Sequence, residues 1–194
     1  WIMATNPADS LPNADLVTKA LETCPFVVVS DVIEKTDTTL HADVLLPATA
    51  WGEKDGTVTN SERRISRQRV FLKAPGETKA DWWVISEIAR RMGFAEAFPY
   101  QSPADIYREH ARLSGYRNDG ARLFSLAAHA DIEAVEFDGM APFQWPLAGP
   151  EKRLGEKRLF SDGGFSTADG RARLVPGTPP AKRAREPGLF RLNT

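Results

Sequence analysis

ADVLLPATAWGEKDGTVTNSERRISRQR, residues 42–69, opens as a short apolar strand and turns at Pro47. It then passes Trp51, Glu53, Lys54 and two glycines, and ends in a run of arginines. Basic side chains at the carboxyl end of a strand suit a large anionic ligand, because strand ends leave backbone groups free and the side chains add positive charge. The apolar opening, DVLLP, carries the β-branched and aliphatic character of a strand inside a sheet.

Working outward, the preceding residues complete an alternation of strands and helices. WIMAT is a short apolar run stopped at Asn6-Pro7, where proline removes a ladder donor. SLPNADLVTKALETC then reads as a turn into a helix with Asn13 as N-cap and Leu16, Val17, Ala20 and Leu21 on one face. PFVVVSD is a continuous β-branched run, the pattern of a parallel strand buried on both faces. A polar crossover through Thr36, Thr38 and Thr39 leads to DVLLP. The order predicts an α/β fold with a parallel-sheet βαβαβ unit, whose strand ends all lie on one edge.

That edge is where open α/β sheets bind ligands. Asn6 ends the first strand, Ser30-Asp31 ends the second, and Pro47 leads from the third toward Lys54. A carboxylate at the end of the second strand can accept hydrogen bonds from a ribose or from the N–H edge of guanine. No GxGxxG follows the first strand, so the usual nicotinamide fingerprint is lacking. Each residue also has a plain structural use: Asn6 in an Asx-turn before Pro7, and Ser30-Asp31 as a cap for the short helix that follows.

Further on, ADWWVISEIARRMGF predicts a helix with Asp81 at its start, Ile85, Ile88, Ala89 and Met92 on one face, and Gly93 just past its end. SPADIYREHARLSG predicts a surface helix, with Ser102 as N-cap, Pro103 at its first position, Gly115 as stop and His110 exposed. Residues 118–150 read as mixed and turn-rich. RLFSDGGFSTADGRARLVP reads as two short strands joined by glycine turns, and GTPPAKRAREPG as a proline- and charge-rich linker before a strand-like LFRLNT.

Composition narrows the function. The chain has 194 residues, a net charge of −1 and one cysteine, Cys24. A slightly acidic chain gives no support for a general nucleic-acid or membrane-surface role, and SERRISRQR lacks the interleaved aromatics of a single-strand binder. No apolar run approaches the ~18 residues of a membrane span. One cysteine can neither close an internal disulfide nor supply the thiolates of an iron–sulfur cluster. His41, His110 and His129 form no metal-ligand spacing. Opening at Trp1 and stopping at Thr194 after LFRLN, the chain reads as an internal piece of a longer protein, inactive alone.

ADVLLPATAWGEKDGTVTNSERR closely resembles a signature of molybdopterin oxidoreductases of the dimethyl sulfoxide reductase family, and its wording is nearest to the assimilatory nitrate reductase catalytic subunit. The resemblance implies a molybdenum centre held by bis(molybdopterin guanine dinucleotide). It also implies a 4Fe–4S cluster whose cysteines lie outside this chain, nitrate as substrate, and ferredoxin, flavodoxin or an NADH-linked reductase subunit as electron donor. A cytoplasmic location is expected, with no nucleic-acid or membrane partner.

By the same resemblance, Asn6, Ser30, Asp31 and Lys54 contact the guanine dinucleotide. Asp81, after the APGE motif, and Thr194, at the start of a further cofactor-contacting segment, join them. No catalytic residue and no metal ligand are expected in this chain. The implied layout is a dinucleotide-binding part over residues 1–95 and a mixed helix-and-hairpin segment over 96–176. Residues 177–194 would then be a linker and the first strand of a C-terminal β-barrel domain. The rival readings are a formate dehydrogenase or periplasmic nitrate reductase, a pterin-free structural subunit of a respiratory complex, and a stand-alone nucleotide-binding module.

Overall fold

The β-branched run at the centre of the first half becomes the middle strand of a parallel sheet ordered β1-β2-β3. Strand β1 (Ile2–Met3) pairs with β2 (Val28–Asp31), which pairs with β3 (Val44–Pro47). Parallel neighbours require crossovers. Helices α1 (Pro7–Ser10) and α2 (Ala14–Thr23) make the first, and a 3-10 turn at Thr39–His41 the second. The computed structural model describes residues 1–147, 158–179 and 188. The chain divides into two units, Trp1–Gly155 and Glu156–Thr194.

The sheet is thinner than the sequence implies. Val27 and Val29 are buried, at 4% and 0% exposure, whereas Val28 is half-buried and Phe26 and Val44 are exposed. One face of β2 is sealed, and the other is only partly covered. Helix α2 likewise buries none of its residues, and Leu16 on its apolar face is exposed. Asn13 does cap α2, but through its backbone. At φ 58° it presents its carbonyl to Leu16 N–H and Val17 N–H, a left-handed conformation that asparagine tolerates.

A fourth segment extends the sheet. Ala48 and Lys79 form a parallel bridge, with Lys79 N–H donating to Pro47 O at 3.1 Å and Thr49 N–H to Lys79 O at 3.1 Å. The chain then enters α3 (Asp81–Arg91). The helix is where the sequence puts it, and Gly93 follows its C-cap at φ 93°. Its buried face is rotated from the expected one, however. Ser86 and Ala89 are buried while Ile85 and Met92 are exposed, and Ser86 tolerates burial because its hydroxyl donates to Trp82 O at 2.7 Å.

The arginine segment forms a hairpin. β4 (Gly56–Thr59) and β5 (Arg64–Gln68) pair antiparallel, and β6 (Phe143–Gln144) adds to β5. Asn60 closes the turn, its Oδ1 accepting from Glu62 N–H and Arg64 N–H at 3.1 and 2.9 Å. Against this sheet lie α4 (Pro103–Gly115) and α5 (Ala134–Gly139). The principal core gathers Ile65, Tyr107, Ala111, Leu126, Phe137 and Phe143.

One expectation is corrected here. Helix α4 is a core helix rather than a surface one, because Ala104, Tyr107, Ala111 and Ser114 bury one stripe of it. Small residues carry little hydropathy, so the stripe is easily overlooked in the sequence. His110 is exposed, as its charged neighbours suggest. Gly115 is the last residue of α4, and space requires a glycine there, since a Cβ would lie 2.8 Å from Ala127 Cβ. The mixed segment after Asn118 supplies much of this core through Leu126, Phe137 and Phe143.

In the second unit, residues 158–179 contain turns at Gly163 and Gly170, at φ 80° and 68°, but no strand among the described residues. Phe160 and Phe165 stack at 4.9 Å, and the Asp162 and Asp169 carboxylates are spent on Gly164 N–H and Arg171 N–H, so compact turns take the place of a ladder. LFRLN and Thr194 lie outside the described residues.

Candidate functional site

The carboxyl edge of the parallel sheet brings four chain segments together: the ends of β1, β2 and β3 with the residues that follow them, and Lys79–Asp81 beside β3. Five of the six residues singled out from the sequence stand on these segments. The sixth is Thr194.

Asn6 neither forms an Asx-turn nor caps α1 with its side chain. Its Oδ1 instead accepts from both Thr38 N–H, at 3.1 Å, and Thr38 Oγ1, at 2.6 Å. This ties the end of β1 to the second crossover. Ser30 is 2% exposed, and its hydroxyl accepts from Trp1 Nε1 at 2.9 Å, so its side chain is a wall of the edge. Asp31 accepts from Ile33 N–H through Oδ1 at 3.0 Å, which fixes the loop after β2 rather than capping a helix, and its other oxygen has no partner among the described residues.

Lys54 and Asp81 meet. Lys54 Nζ donates to Asp81 Oδ2 at 3.0 Å, with their side chains 29% and 28% exposed. Asp81 Oδ1 is buried with no partner among the described residues, and so is the hydroxyl of Thr49, itself 4% exposed, on the neighbouring segment. Buried polar atoms without partners are costly in a finished structure. A carboxylate oxygen of this kind fits an incoming N–H, such as the N–H edge of a purine.

The turn carrying Lys54 is built for rigidity. Glu53 Oε2 accepts from Ala50 N–H at 2.8 Å, closing the 3-10 turn Trp51–Glu53. Gly52 O accepts from Phe71 N–H and Leu72 N–H at 3.0 Å each, and a Cβ on Gly52 would lie 2.8 Å from Leu72 Cδ1. On the far side, Arg67 donates to Asp55 Oδ1 at 2.6 Å and also to Gly56 O, while its side chain is only 2% exposed. Trp51 is exposed and packs edge-on against Phe71 at 5.6 Å.

Comparison with known proteins gives this edge its context. Residues 1–91 match the family model described as molybdopterin oxidoreductase. A nitrate reductase from Klebsiella oxytoca is 45% identical over 192 residues, covering 99% of this chain and 22% of the relative. The chain belongs to the molybdopterin oxidoreductase family.

An F420-dependent formate dehydrogenase subunit alpha from Methanocaldococcus jannaschii is 36% identical over 177 residues, covering 91% of this chain and 24% of that one. Among solved structures, the acetylene hydratase of Pelobacter acetylenicus superposes with a TM-score of 0.56 at 22% identity, over 87% of this chain and 20% of its own, a likeness of fold. The chain thus spans less than a quarter of the length of these relatives.

Sequence reading missed three contributors to this molybdopterin-family edge. Thr38 was visible only as part of a polar crossover, and its pairing with Asn6 joins residues 32 apart. The Lys79 bridge is a single pair and leaves no periodic signal. Arg67 sat in an arginine run whose members look alike until burial separates them. No group of three or more His, Cys, Asp or Glu that could hold a metal occurs among the described residues, and no described helix is long and apolar enough to cross a membrane.

Proposed function

We propose that this chain is the segment of a molybdenum nitrate reductase, of the assimilatory type, that binds the guanine dinucleotide of a bis(molybdopterin guanine dinucleotide) cofactor. The observation that carries the proposal is the convergence of Asn6, Asp31, Lys54 and Asp81 on one sheet edge with acceptor and donor capacity left unspent. Nitrate as substrate is supported by the 45% identity to the Klebsiella oxytoca nitrate reductase, against 36% to the formate dehydrogenase subunit.

In this reading residues 1–95 hold the dinucleotide, residues 96–176 are a mixed segment of the same domain, and α4 within that segment shares a core with β5. Residues 177–194, including Thr194, lead into a C-terminal barrel domain. Asp31 and Asp81 accept N–H or O–H groups, Asn6 and Lys54 donate, and Ser30 shapes the wall. The bound molybdenum centre would supply two-electron, oxygen-atom-transfer chemistry. With Cys24 as its one cysteine, this chain supplies no 4Fe–4S cluster, whose ligands would come from elsewhere in the complete protein. A soluble cytoplasmic donor, ferredoxin, flavodoxin or an NADH-linked subunit, completes the electron supply.

The test uses Asp31→Ala and Lys54→Ala in the complete polypeptide, with guanine nucleotide and molybdenum per chain as readouts. Lys54→Ala removes a charge-assisted hydrogen bond worth about 1.5–3 kcal/mol, which is roughly 10- to 150-fold in retention. Both variants should keep the far-UV signature of the fold, because both residues sit at strand or turn ends. Full cofactor content in both would refute the assignment. The formate dehydrogenase reading gains from the second identity above, and formate-dependent dye reduction by the natural protein would select it.

A further inference from the structure

The hydrogen-bond accounting around Asn6 fixes more than a loop. Thr38 is completely buried, at 0% exposure, and its hydroxyl accepts from Ala8 N–H at 3.1 Å. That bond directs the hydroxyl proton away from Ala8, toward Asn6 Oδ1 at 2.6 Å. Thr38 N–H reaches the same oxygen at 3.1 Å. A carbonyl oxygen has two lone pairs, and both donors are fixed by the crossover, so Oδ1 is saturated and the amide cannot flip without facing donor against donor. The amide nitrogen of Asn6, with both N–H groups unspent among the described residues, is therefore held in one orientation.

We infer that Thr38 is the positioning residue that locks Asn6 as an obligate hydrogen-bond donor, so that the group Asn6 recognises is an acceptor: a phosphate oxygen, a ribose oxygen or the purine carbonyl. The inference rests on the dinucleotide reading above and adds the residue that sets polarity at this subsite. Asn6 sits at the end of β1, whereas Thr38 belongs to the crossover between β2 and β3. The second crossover thereby determines what the first strand end can bind. The polar neighbours are accounted for, since Thr36 and Thr39 bond one another and leave the Thr38 hydroxyl proton to Asn6, while its oxygen accepts from Ala8 N–H. An asparagine free to rotate would accept or donate with equal ease.

Four variants in the complete polypeptide test this, read as guanine nucleotide released per chain after acid denaturation, alongside far-UV circular dichroism and thermal unfolding. Asn6→Asp keeps an oxygen for both Thr38 donors but replaces the outward N–H groups with a carboxylate oxygen. It should fold normally and retain at least tenfold less guanine nucleotide. Thr38→Val keeps volume and removes the hydroxyl; it should lose several-fold in retention, and Thr38→Ser should restore it. Asn6→Ala is the reference.

If Asn6→Ala retains its nucleotide, the dinucleotide reading of this strand end fails. If Asn6→Ala loses the nucleotide while Asn6→Asp keeps full content, an outward donor is not needed and the inference about Thr38 is overturned. Loss in Thr38→Ser equal to that in Thr38→Val, with both folded, overturns it as well, since a packing role would not distinguish the proton. Should Thr38→Val fail to fold, Asn6→Asp still decides the matter.

Discussion

Replacing Arg67 with methionine should loosen the β4–β5 hairpin without unfolding the parallel sheet. The Arg67 guanidinium donates to Asp55 Oδ1 at 2.6 Å, to Asp138 Oδ1 at 3.1 Å, to Gln68 O at 3.2 Å and to Gly56 O, and it lies 4.0 Å above the Phe137 ring. Summing a charged hydrogen bond at each contact would overstate the loss. The two carboxylates are 37% and 73% exposed, so they return to water and each pair counts for at most about 1 kcal/mol.

What is not recovered is the desolvated cation–π contact, worth about 2 kcal/mol, and the anchoring of the Gly56 carbonyl, about 1 kcal/mol. Relief of the buried Nε, which has no partner among the described residues, offsets part of this. Methionine keeps most of the packing against Phe137. The net expectation is about 2–3 kcal/mol, which corresponds to roughly 30- to 150-fold less protection. Native-state hydrogen exchange of the complete polypeptide reads this at the amides of β4 and β5, with those of β2 as control. Protection within threefold of the natural protein in β4 and β5 would show that Arg67 is not the anchor. An equal loss in β2 would show that the two sheets open as one.

Three further outcomes follow from the same geometry. Asp105 accepts from Gln101 N–H, Ser102 N–H and Ser102 Oγ at 2.8–3.0 Å and faces Arg108. Burial pushes its carboxyl up, but the hydrogen bonds and Arg108 together hold it below the usual carboxylate range. Its stabilisation is therefore present above about pH 4 and lost as pH falls through the depressed folded value; Asp105→Asn should cost about 1 kcal/mol in α4 protection at neutral pH and nothing in acid. Gly115→Ala should destabilise α4 by about 1–2 kcal/mol in exchange measurements, because the new methyl meets the immovable Ala127 Cβ at 2.8 Å. Gly52→Ala should cost less than that, since it meets the exposed tips of Leu72 and Phe71, which can turn aside, and equal losses in the two variants would contradict the packing argument.

The parallel order of β1, β2 and β3 was legible because β-branched runs and a proline stop are local signals. The positions of Asn6, Asp31 and Lys54 along the sheet edge were legible because each ends a strand or follows one. Their partners were not. The Asn6–Thr38 and Lys54–Asp81 contacts join residues 32 and 27 apart, and nothing in a linear pattern announces such pairings. Burial was misjudged in both directions for physical reasons. Helix α4 buries Ala104, Ala111 and Ser114, small residues that carry little hydropathy, beside Tyr107, while α2 and α3 expose aliphatic residues. Periodicity places an apolar face on a helix but does not say whether another element covers it.

The most direct test of the account is nitrate-dependent oxidation of a reduced viologen dye by the complete polypeptide, purified with its molybdenum and guanine nucleotide content determined. The account predicts turnover with nitrate in proportion to bound molybdenum, and its loss together with guanine nucleotide in Lys54→Ala. Full molybdenum loading with no nitrate turnover would contradict the nitrate assignment, and absence of both molybdenum and guanine nucleotide from protein made in a competent host would contradict the cofactor assignment itself.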